Sequence, residues 1–578
     1  LSGAYTPSVD VLIPSYDEPE FILRRTIMGC QAMEYEPKTV YLLDDTRRPD
    51  IKALAQELGC EYLTRDNNRH AKAGNLNHAI PQTHGELLAV FDADFVPTRN
   101  FLTRTVGFFQ AESVALVQTP QSFYNPDPIA YNLGLEDVLT PEEEVFYRQV
   151  QRVRDGAGAV VCAGTSFVMR RSALEAVGGF VTEAVSEDFF TGIQLASKGY
   201  QLVYLNEKLS AGLAAENIAT HALQRVRWEQ GTLQSFFIRS NPLTIPGLSP
   251  VQRLAYLEGL LHWFTSIARV GFLIMPLAYS FLGVIPLKAD GAEILYFFLP
   301  FYLVQLSAFS WLNYRSRSAL LSDVYALVLA FPLAATAFQV MVRPFSRGFK
   351  VTPKGTASDR YHFNWSLAWP LMVVFALTAV SLWVNLGHCL TMMGDPANHI
   401  KGLGLGWLWS GYNLVMLSIA LLILLDAPRQ SRYEWYQLQR VAQGETASGQ
   451  HCWGFTTKLS EAGAEIALTH TGQQPLEDLI GQPLRFTLKD EDLTLMGIIT
   501  QWCQTEEDLP TITLRFVEVS QEQHRRLVEM LYCRPGQWKS RQAPNELYSL
   551  WLILKSVLKP RAVFERDAKA KPVRVNPV

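Results

Sequence analysis

The sequence is short of charge and has no paired cysteines. Only 18% of its 578 residues are Asp, Glu, Lys or Arg, fewer than a typical soluble protein carries. The formal net charge of −4 gives no electrostatic case for a nucleic-acid partner. The seven cysteines (Cys30, Cys60, Cys162, Cys389, Cys452, Cys503 and Cys533) are scattered singly. With no CxxC among them, a zinc site or a disulfide framework is disfavoured, and reduced cytosolic thiols are the simpler reading. No P-loop is present, and few ionisable residues lie inside the apolar stretches, which argues against a nucleotide-driven transporter or a nucleotide-sensing receptor. There is no internal repeat, low-complexity tract or signal peptide. Because the chain starts at Leu1 and not at Met, residues before it are expected in the full gene product.

What the chain has in quantity is apolar side chains, 48% of the total, unevenly spread. Residues 1–250 and 430–578 read as soluble sequence. Between them lie five apolar stretches, at about 257–283, 293–313, 319–341, 365–389 and 403–425, and a bilayer span needs roughly 20 such residues. Arg315 and Arg317 follow the second stretch, and Arg343, Arg347, Lys350, Lys354 and Arg360 follow the third. Basic loops stay in the cytosol, so segment 319–341 does not cross. It carries Asp323, Pro332 and Gln339 and is expected to lie on the membrane as an interfacial helix. Loops 284–292 and 390–402 are poor in Lys and Arg and suit the outside. The expected topology is four crossings, with both soluble regions cytosolic.

Within 8–250, short apolar runs at 9–13, 39–43 and 86–91 alternate with helix-like stretches such as 51–58, which Gly59 closes. That alternation predicts a parallel α/β sheet, and in such sheets ligands sit at the carboxyl ends of the strands. The acidic clusters fall there. Asp92-Ala93-Asp94 could share one hard cation, since Mg²⁺ takes one or two carboxylates plus substrate phosphates, or it could be a solvated turn. Asp44-Asp45 could grip a nucleoside or cap the next helix. The stretch 70–77 offers Lys72 and, at Gly74, room for close backbone approach; it could equally be an ordinary loop leading into a helix. In Ser186-Glu187-Asp188 a carboxylate is available as general base, although Ser and Asp also favour helix starts. Gln224-Arg225-Val226-Arg227-Trp228 combines an amide, a guanidinium suited to a pyrophosphate and an indole suited to a sugar face; a helix entering a membrane interface would also be rich in Trp and Arg.

The order Asp44/Asp45, Asp92-x-Asp94, Asp188, Gln224-x-x-Arg227-Trp228 resembles the D, DxD, ED, QxxRW signature of processive family-2 glycosyltransferases. Longer stretches are similar to the bacterial cellulose synthase catalytic subunits: Pro14-Ser15-Tyr16-Asp17-Glu18-Pro19, His70-Ala71-Lys72-Ala73-Gly74-Asn75, Val117-Gln118-Thr119-Pro120, Asn125-Pro126-Asp127-Pro128 and Phe349-Lys350-Val351-Thr352. The resemblance covers nearly the whole chain. The cysteine-rich zinc region and long insertion of the plant enzymes are not in this sequence. The resemblance implies a GT-A glycosyltransferase fold over 1–250 and a helical membrane region over 251–426, with a gating loop at 349–355. It further implies UDP-glucose as donor, Mg²⁺ or Mn²⁺ as cofactor, inversion at the anomeric carbon, and a β-1,4-glucan exported through the same chain in a bacterial inner membrane. Curdlan, chitin and hyaluronan synthases stand as alternatives on the same scaffold; secretion partners and self-assembly stay open.

The implied roles are as follows. Tyr16, Glu18, Asp44, Asp45, Lys72, Asp92, Arg227 and Thr352 would contact the UDP-sugar, with Asp92 and Asp94 on the metal. Asp188 would be the base, with Gln224, Arg227 and Trp228 completing the catalytic set. Trp228 and Cys162 would lie at the acceptor. Val160-Val161-Cys162-Ala163-Gly164-Thr165 departs from the usual FFCGS, and Ser186 replaces the threonine of TED. A neutral glucan path would be lined by aromatic and polar residues, for which Trp263, Phe264, Tyr302, Trp365, Trp383, Asn385 and Asn413 are candidates, with further membrane helices expected before Leu1.

Beyond 427, period-two runs at 483–488 and 511–516 predict a small antiparallel barrel over 427–545. It resembles a PilZ domain, the family's cyclic-di-GMP receptor. Arg429 and Arg432 would stand for its arginine arm. Ser460 and Gly463 of Lys458-Leu459-Ser460-Glu461-Ala462-Gly463 would stand for its (D/N)xSxxG turn, with Lys458 where Asp or Asn is usual; a degenerate barrel kept for packing is the other reading. By the same resemblance Glu216 would pair with Arg429 or Arg432 to latch the gating loop. In the 546–578 tail, Leu547, Leu550, Trp551, Leu554 and Leu558 share one helical face, followed by Lys555, Lys559 and Arg561, which suits a membrane surface or a partner.

Overall fold

The computed structural model describes residues 5–346, 354–355, 358–394, 403–429, 431–470, 475–503, 509–564 and 573–574. Seven apolar segments, β1 (Val9–Ser15), β2 (Lys38–Asp44), β3 (Glu61–Leu63), β4 (Leu87–Val90), β5 (Val114–Gln118), β6 (Phe167–Arg170) and β7 (Gln201–Tyr204), make one sheet in the order β3-β2-β1-β4-β6-β5-β7. Side-chain alternation sends Val9, Val11 and Ile13 to one face and Leu12 to the other. On the first face pack α1 (Glu20–Gln31) and α2 (Pro49–Leu58); on the second, α3 (Ala71–Ala79) and α4 (Glu187–Ser197).

The sheet is not wholly parallel, as the strand–helix alternation led us to expect. β1, β2, β3 and β4 are parallel, but β6 runs antiparallel to both β4 and β5. β6 enters after the excursion 119–166, which begins and ends at the same sheet edge, the Thr119 amide donating to the Ser166 carbonyl at 3.1 Å, so the chain returns antiparallel to β5. As a result, the start of β6 lies at the same sheet edge as the ends of β1, β2 and β4. The acidic segments after β2 and β4 therefore meet the start of β6 at one edge of an α/β domain.

From this domain α5 (Ile218–Leu233), capped by the Asn217 carboxamide accepting from the Thr220 amide at 2.9 Å, leads into the membrane helices. The stretch 257–283 is not one continuous helix. It breaks at Trp263-Phe264 and again at Met275-Pro276, leaving α6 (Thr265–Ile274) between the breaks, and proline removes a helical donor there. Three helices are long and apolar enough to cross: α7 (Gly291–Leu312), the segment Trp365–Leu390, and a span at Leu403–Ile423. The stretch expected to be one interfacial helix is two, α8 (Ala319–Val328) and α9 (Ala330–Val342), bent by 64°. By length and composition the described residues hold three such helices, or four if this bent pair is counted as one span. α9 packs on α5 and on α6. The helix Trp365–Gly394, α10, packs on α11 (Leu403–Ile423).

The late region closes as a six-stranded antiparallel barrel: β8 (Val441–Thr446), β9 (His451–Leu459), β10 (Gly463–His470), β11 (Pro483–Leu488), β12 (Leu493–Cys503) and β13 (Thr511–Val517), with β8 pairing both β11 and β9. After it, α12 (Gln521–Tyr532) lies on α1, and α13 (Glu546–Leu558) packs on α8 and α11. Glu546 accepts from the Ala319 amide at 2.7 Å and the Ser318 hydroxyl at 2.8 Å, so α13 caps α8. Leu552 and Ile553 are buried, while Leu547, Leu550, Trp551, Leu554 and Leu558 are exposed as one apolar face.

Candidate active site at the strand edge

The turn after β1 is closed by Glu18, which accepts from the Tyr16 amide at 2.8 Å and the Ser15 hydroxyl at 3.0 Å. That leaves the Tyr16 ring exposed at the mouth. The turn after β2 is tied up internally. Asp44 accepts from the Thr46 hydroxyl at 2.7 Å, the Arg48 amide at 2.7 Å and the Tyr62 hydroxyl at 2.9 Å. Asp45 takes a two-pronged contact from Arg65, at 2.5 and 2.7 Å. Neither acts as a side-chain cap for α2, whose N-cap is Arg48. Arg65, twenty residues from its partner, gave no signal in the sequence; it also donates to the Arg69 and Ala71 carbonyls and so holds the loop that presents Lys72.

Lys72, at the start of α3, donates to Asp92 at 2.5 Å and to the Gly164 carbonyl at 2.6 Å. Asp94, buried, is ion-paired with Lys354. Burial pushes the Asp94 carboxyl above its ordinary range, and Lys354 works against that. Asp188 sits in the first turn of α4, one oxygen accepting from the Phe189 amide at 2.8 Å. Its other oxygen lies 2.8 Å from where a β-carbon on Gly164 would be, and Gly164 holds φ +84°. Glycine is therefore required there on two counts: a side chain would strain the backbone and strike the carboxylate. Burial, then the neighbouring Glu187 carboxylate, pushes Asp188 up to about 7, with Lys72 opposing. Cys162 is buried beside this group; burial and Asp188 hold it as a thiol.

The helix carrying Gln224, Arg227 and Trp228 is fixed to the Asp188 turn. Gly231 packs so closely that an added β-carbon would lie 2.0 Å from the Ser186 hydroxyl, and Gln234 accepts from the Val185 amide at 3.2 Å. Ser186 therefore serves as a contact for α5 and not as a side-chain cap of α4. Arg227 is near enough to Glu187 to favour its charged form. The Arg225 guanidinium lies 4.5 Å from the Trp228 ring centroid and is held by Glu142 at 2.9 Å and by Glu143. This backing of the indole is a positioning contact that sequence reasoning did not find. The structure brings Lys72, Asp92, Asp94, Asp188, Cys162 and the Trp228 helix together. Thr352 lies outside the described residues.

Among the described residues no cluster of three or more His, Cys, Asp or Glu side chains could hold a metal alone. Two carboxylates at one strand edge fit a hard dication that completes its shell with phosphate and water oxygens. Of the expected path residues, Trp365 and Trp383 are exposed, whereas Asn385 and Asn413 are buried between helices, Asn413 donating to the Leu273 carbonyl at 3.4 Å.

On the barrel, Ser460 and Gly463 form the expected turn: the Ser460 amide donates to the Gly463 carbonyl at 2.9 Å. A β-carbon on Gly463 would lie 2.2 Å from the Leu514 carbonyl. The turn also packs against α1 and α12. Glu461 accepts from Arg25 of α1 at 2.7 Å, from the Tyr532 hydroxyl at 2.8 Å and contacts His524 at 2.9 Å. Arg25 also lies 4.7 Å from the Tyr532 ring centroid. Lys458 pairs with Glu465 at 2.7 Å. Arg429 is buried, donating to the Pro126 carbonyl at 3.0 Å with its guanidinium 4.3 Å from the Tyr131 ring centroid; Arg432 is exposed. Glu434 lies beside both Arg429 and Glu216: burial and then Glu216 raise its carboxyl, and Arg429 opposes.

Residues 10–178 match the Glycosyl transferase family 2 description and residues 175–326 the Cellulose synthase description. A cellulose synthase 1 catalytic subunit, UDP-forming, from Komagataeibacter xylinus is 31% identical over 97% of this chain and 75% of its own length. The UDP-forming catalytic subunit from Xanthomonas axonopodis pv. citri is 32% identical over 96% of this chain and 75% of its own. That of Pseudomonas fluorescens is 38% identical over 74% of this chain, and the match spans 58% of its length. A solved mannosyltransferase from Pyrobaculum calidifontis aligns with 58% of this chain and 88% of its own at 18% identity, with a TM-score of 0.43, too low to add to the family match.

Proposed function

This chain belongs to the bacterial cellulose synthase catalytic-subunit family, and from that we propose that it extends a β-1,4-glucan processively with glucose from UDP-glucose and passes the product through its own membrane region. The observation that carries the reading is the convergence of Lys72, Asp92, Asp94 and Asp188 at one strand edge, with the Trp228 helix packed on the Asp188 turn. The acceptor hydroxyl attacks the anomeric carbon from the face opposite the diphosphate. The new C–O bond forms as the bond to phosphate breaks, UDP leaves, and the hydroxyl proton passes to Asp188. Burial holds that carboxylate near the pKa a general base needs at neutral pH. Lys72 and Arg227 neutralise the departing diphosphate. The indole of Trp228, backed by Arg225, stacks on the terminal sugar. Mg²⁺ or Mn²⁺ on Asp92 and Asp94 would supply charge neutralisation at the diphosphate.

The membrane helices support an inner-membrane, multi-pass placement with the catalytic and barrel regions in the cytosol. Cyclic-di-GMP is the proposed regulator of the barrel, through Arg429, Arg432, Ser460 and Gly463, with Glu216 on the catalytic side of the latch. Labelled UDP-glucose supplied to purified membranes tests the activity. The product should yield to a β-1,4-specific glucanase; label entering polymer from UDP-N-acetylglucosamine instead, or a product resistant to that enzyme, would replace this reading with one of the sister synthases.

A further inference from the structure

Both carboxylates of the DxD turn carry an ammonium partner. Asp92 has Lys72, which is anchored a second time on the Gly164 carbonyl. Asp94 has Lys354, which comes from a segment 260 residues away and whose only other described contact, to the Leu213 carbonyl, is a long 3.4 Å. Lys354 precedes Gly355, at φ +70°, where an added β-carbon would lie 3.2 Å from Pro19, so these two residues sit next to the β1 turn. The Asp94 side chain is 5% exposed and that of Lys354 19%. A buried carboxylate without a counter-charge is costly, and Lys354 supplies that charge from outside the catalytic sheet.

We propose that Lys354 is the resident counter-cation of Asp94 and competes with the divalent cation for it, so that metal and nucleotide bind in a linked manner. The proposal rests on the metal role assigned to Asp92 and Asp94 above. An ammonium contributes one positive charge and no coordination bond. When a diphosphate enters beside it, the ammonium gains a second anionic partner and Asp94 is released to a dication, which the phosphates also ligate. Lys72, with its second anchor, stays in place.

The test is Mn²⁺ binding by the purified full chain in detergent, read from the free-ion EPR signal, for wild type, Lys354→Gln, Lys354→Arg and Asp94→Asn, each with and without UDP. Without UDP, Lys354→Gln is expected to bind Mn²⁺ at least ~10-fold more tightly than wild type, because one adjacent opposite charge shifts a carboxylate's cation affinity by about that much or more. Lys354→Arg, which keeps the charge, should match wild type, and UDP should narrow the gap between wild type and Lys354→Gln. Equal or weaker Mn²⁺ binding by Lys354→Gln without UDP overturns the competition. If instead Asp94→Asn binds Mn²⁺ like wild type in the presence of UDP, the metal assignment itself fails, and this inference with it.

Discussion

Two turns in this molecule carry motif residues, and they spend their charges in opposite ways. At the strand edge, Asp92 is paired with Lys72 and Asp94 with Lys354, while Asp188 meets Gly164 beside the Lys72 ammonium. At the barrel turn, Glu461 is saturated by Arg25, Tyr532 and His524, and Lys458 by Glu465. A site keeps acids near one another and pays in raised pKa values; a joint pairs every charge. The difference separates a place where chemistry happens from one where two regions are held together.

Breaking the first turn should have the largest effect. Asp188→Asn should cut synthesis by about 10²–10⁴-fold, the usual share of general-base catalysis, with UDP binding retained; near-wild-type polymer yield would remove Asp188 from the mechanism. Breaking the joint should leave chemistry and strike stability. Glu461→Ala strands the buried Arg25 guanidinium and should cost about 3–5 kcal/mol, seen as a lower melting temperature or as proteolysis between the barrel and the rest of the chain. If Glu461→Ala instead changes only the response to cyclic-di-GMP, the turn is a switch and the contrast collapses.

The pH profile sharpens the comparison. Asp188, raised to about 7 by burial and Glu187, must lose its proton to act. The kcat/KM for UDP-glucose should therefore rise with pH and level off above about 7, with the midpoint moving up in Lys72→Met because Lys72 lowers it.

A smaller effect is expected at Glu229, one residue past Trp228. It is fully buried, neither carboxyl oxygen has a hydrogen-bond partner among the described residues, and burial pushes it from 4.5 to about 9. The folded state holds this proton more tightly than the unfolded one, so stability is full below about 4.5 and is lost as pH rises towards about 9. Glu229→Gln, which cannot ionise, should melt above wild type at pH 8 by on the order of 1–3 kcal/mol, with the advantage fading toward pH 5; a constant difference at both pH values would contradict this.

The smallest effect is at the latch. A pair between Glu216 and the exposed Arg432 is worth roughly 0–1 kcal/mol, so Glu216→Ala should raise basal synthesis only modestly; unchanged synthesis with and without cyclic-di-GMP would class the barrel wholly as a joint.

The sequence announced what is local. Strands β1, β2 and β4, the acidic ends of β2 and β4, and the amide–guanidinium–indole run on α5 all follow from short-range pattern. What it hid depends on distant partners. Arg65 reaches Asp45, Arg225 backs Trp228 through Glu142, and Arg25 meets Glu461 across 436 residues. The acidity of Asp44 and Asp45 is visible in the sequence; their internal partners Thr46, Arg48, Tyr62 and Arg65 are not. The reversed β6 and the breaks at Trp263-Phe264 and Met275-Pro276 were hidden for a related reason: hydropathy reports length, and neither strand direction nor helix continuity is encoded in it.

The seam between α5 and α9 has a practical consequence. Leu233 at the end of α5 is buried with Ala337 and Val340 of the bent membrane-region pair, and partly buried Phe236, Trp263 and Phe264 pack around them. A soluble fragment ending near residue 250 would carry the whole catalytic sheet yet leave this seam facing water. Such a fragment should aggregate or lose the alignment of Trp228, and inhibitor screens or crystallisation trials on the isolated domain would be working with a displaced α5.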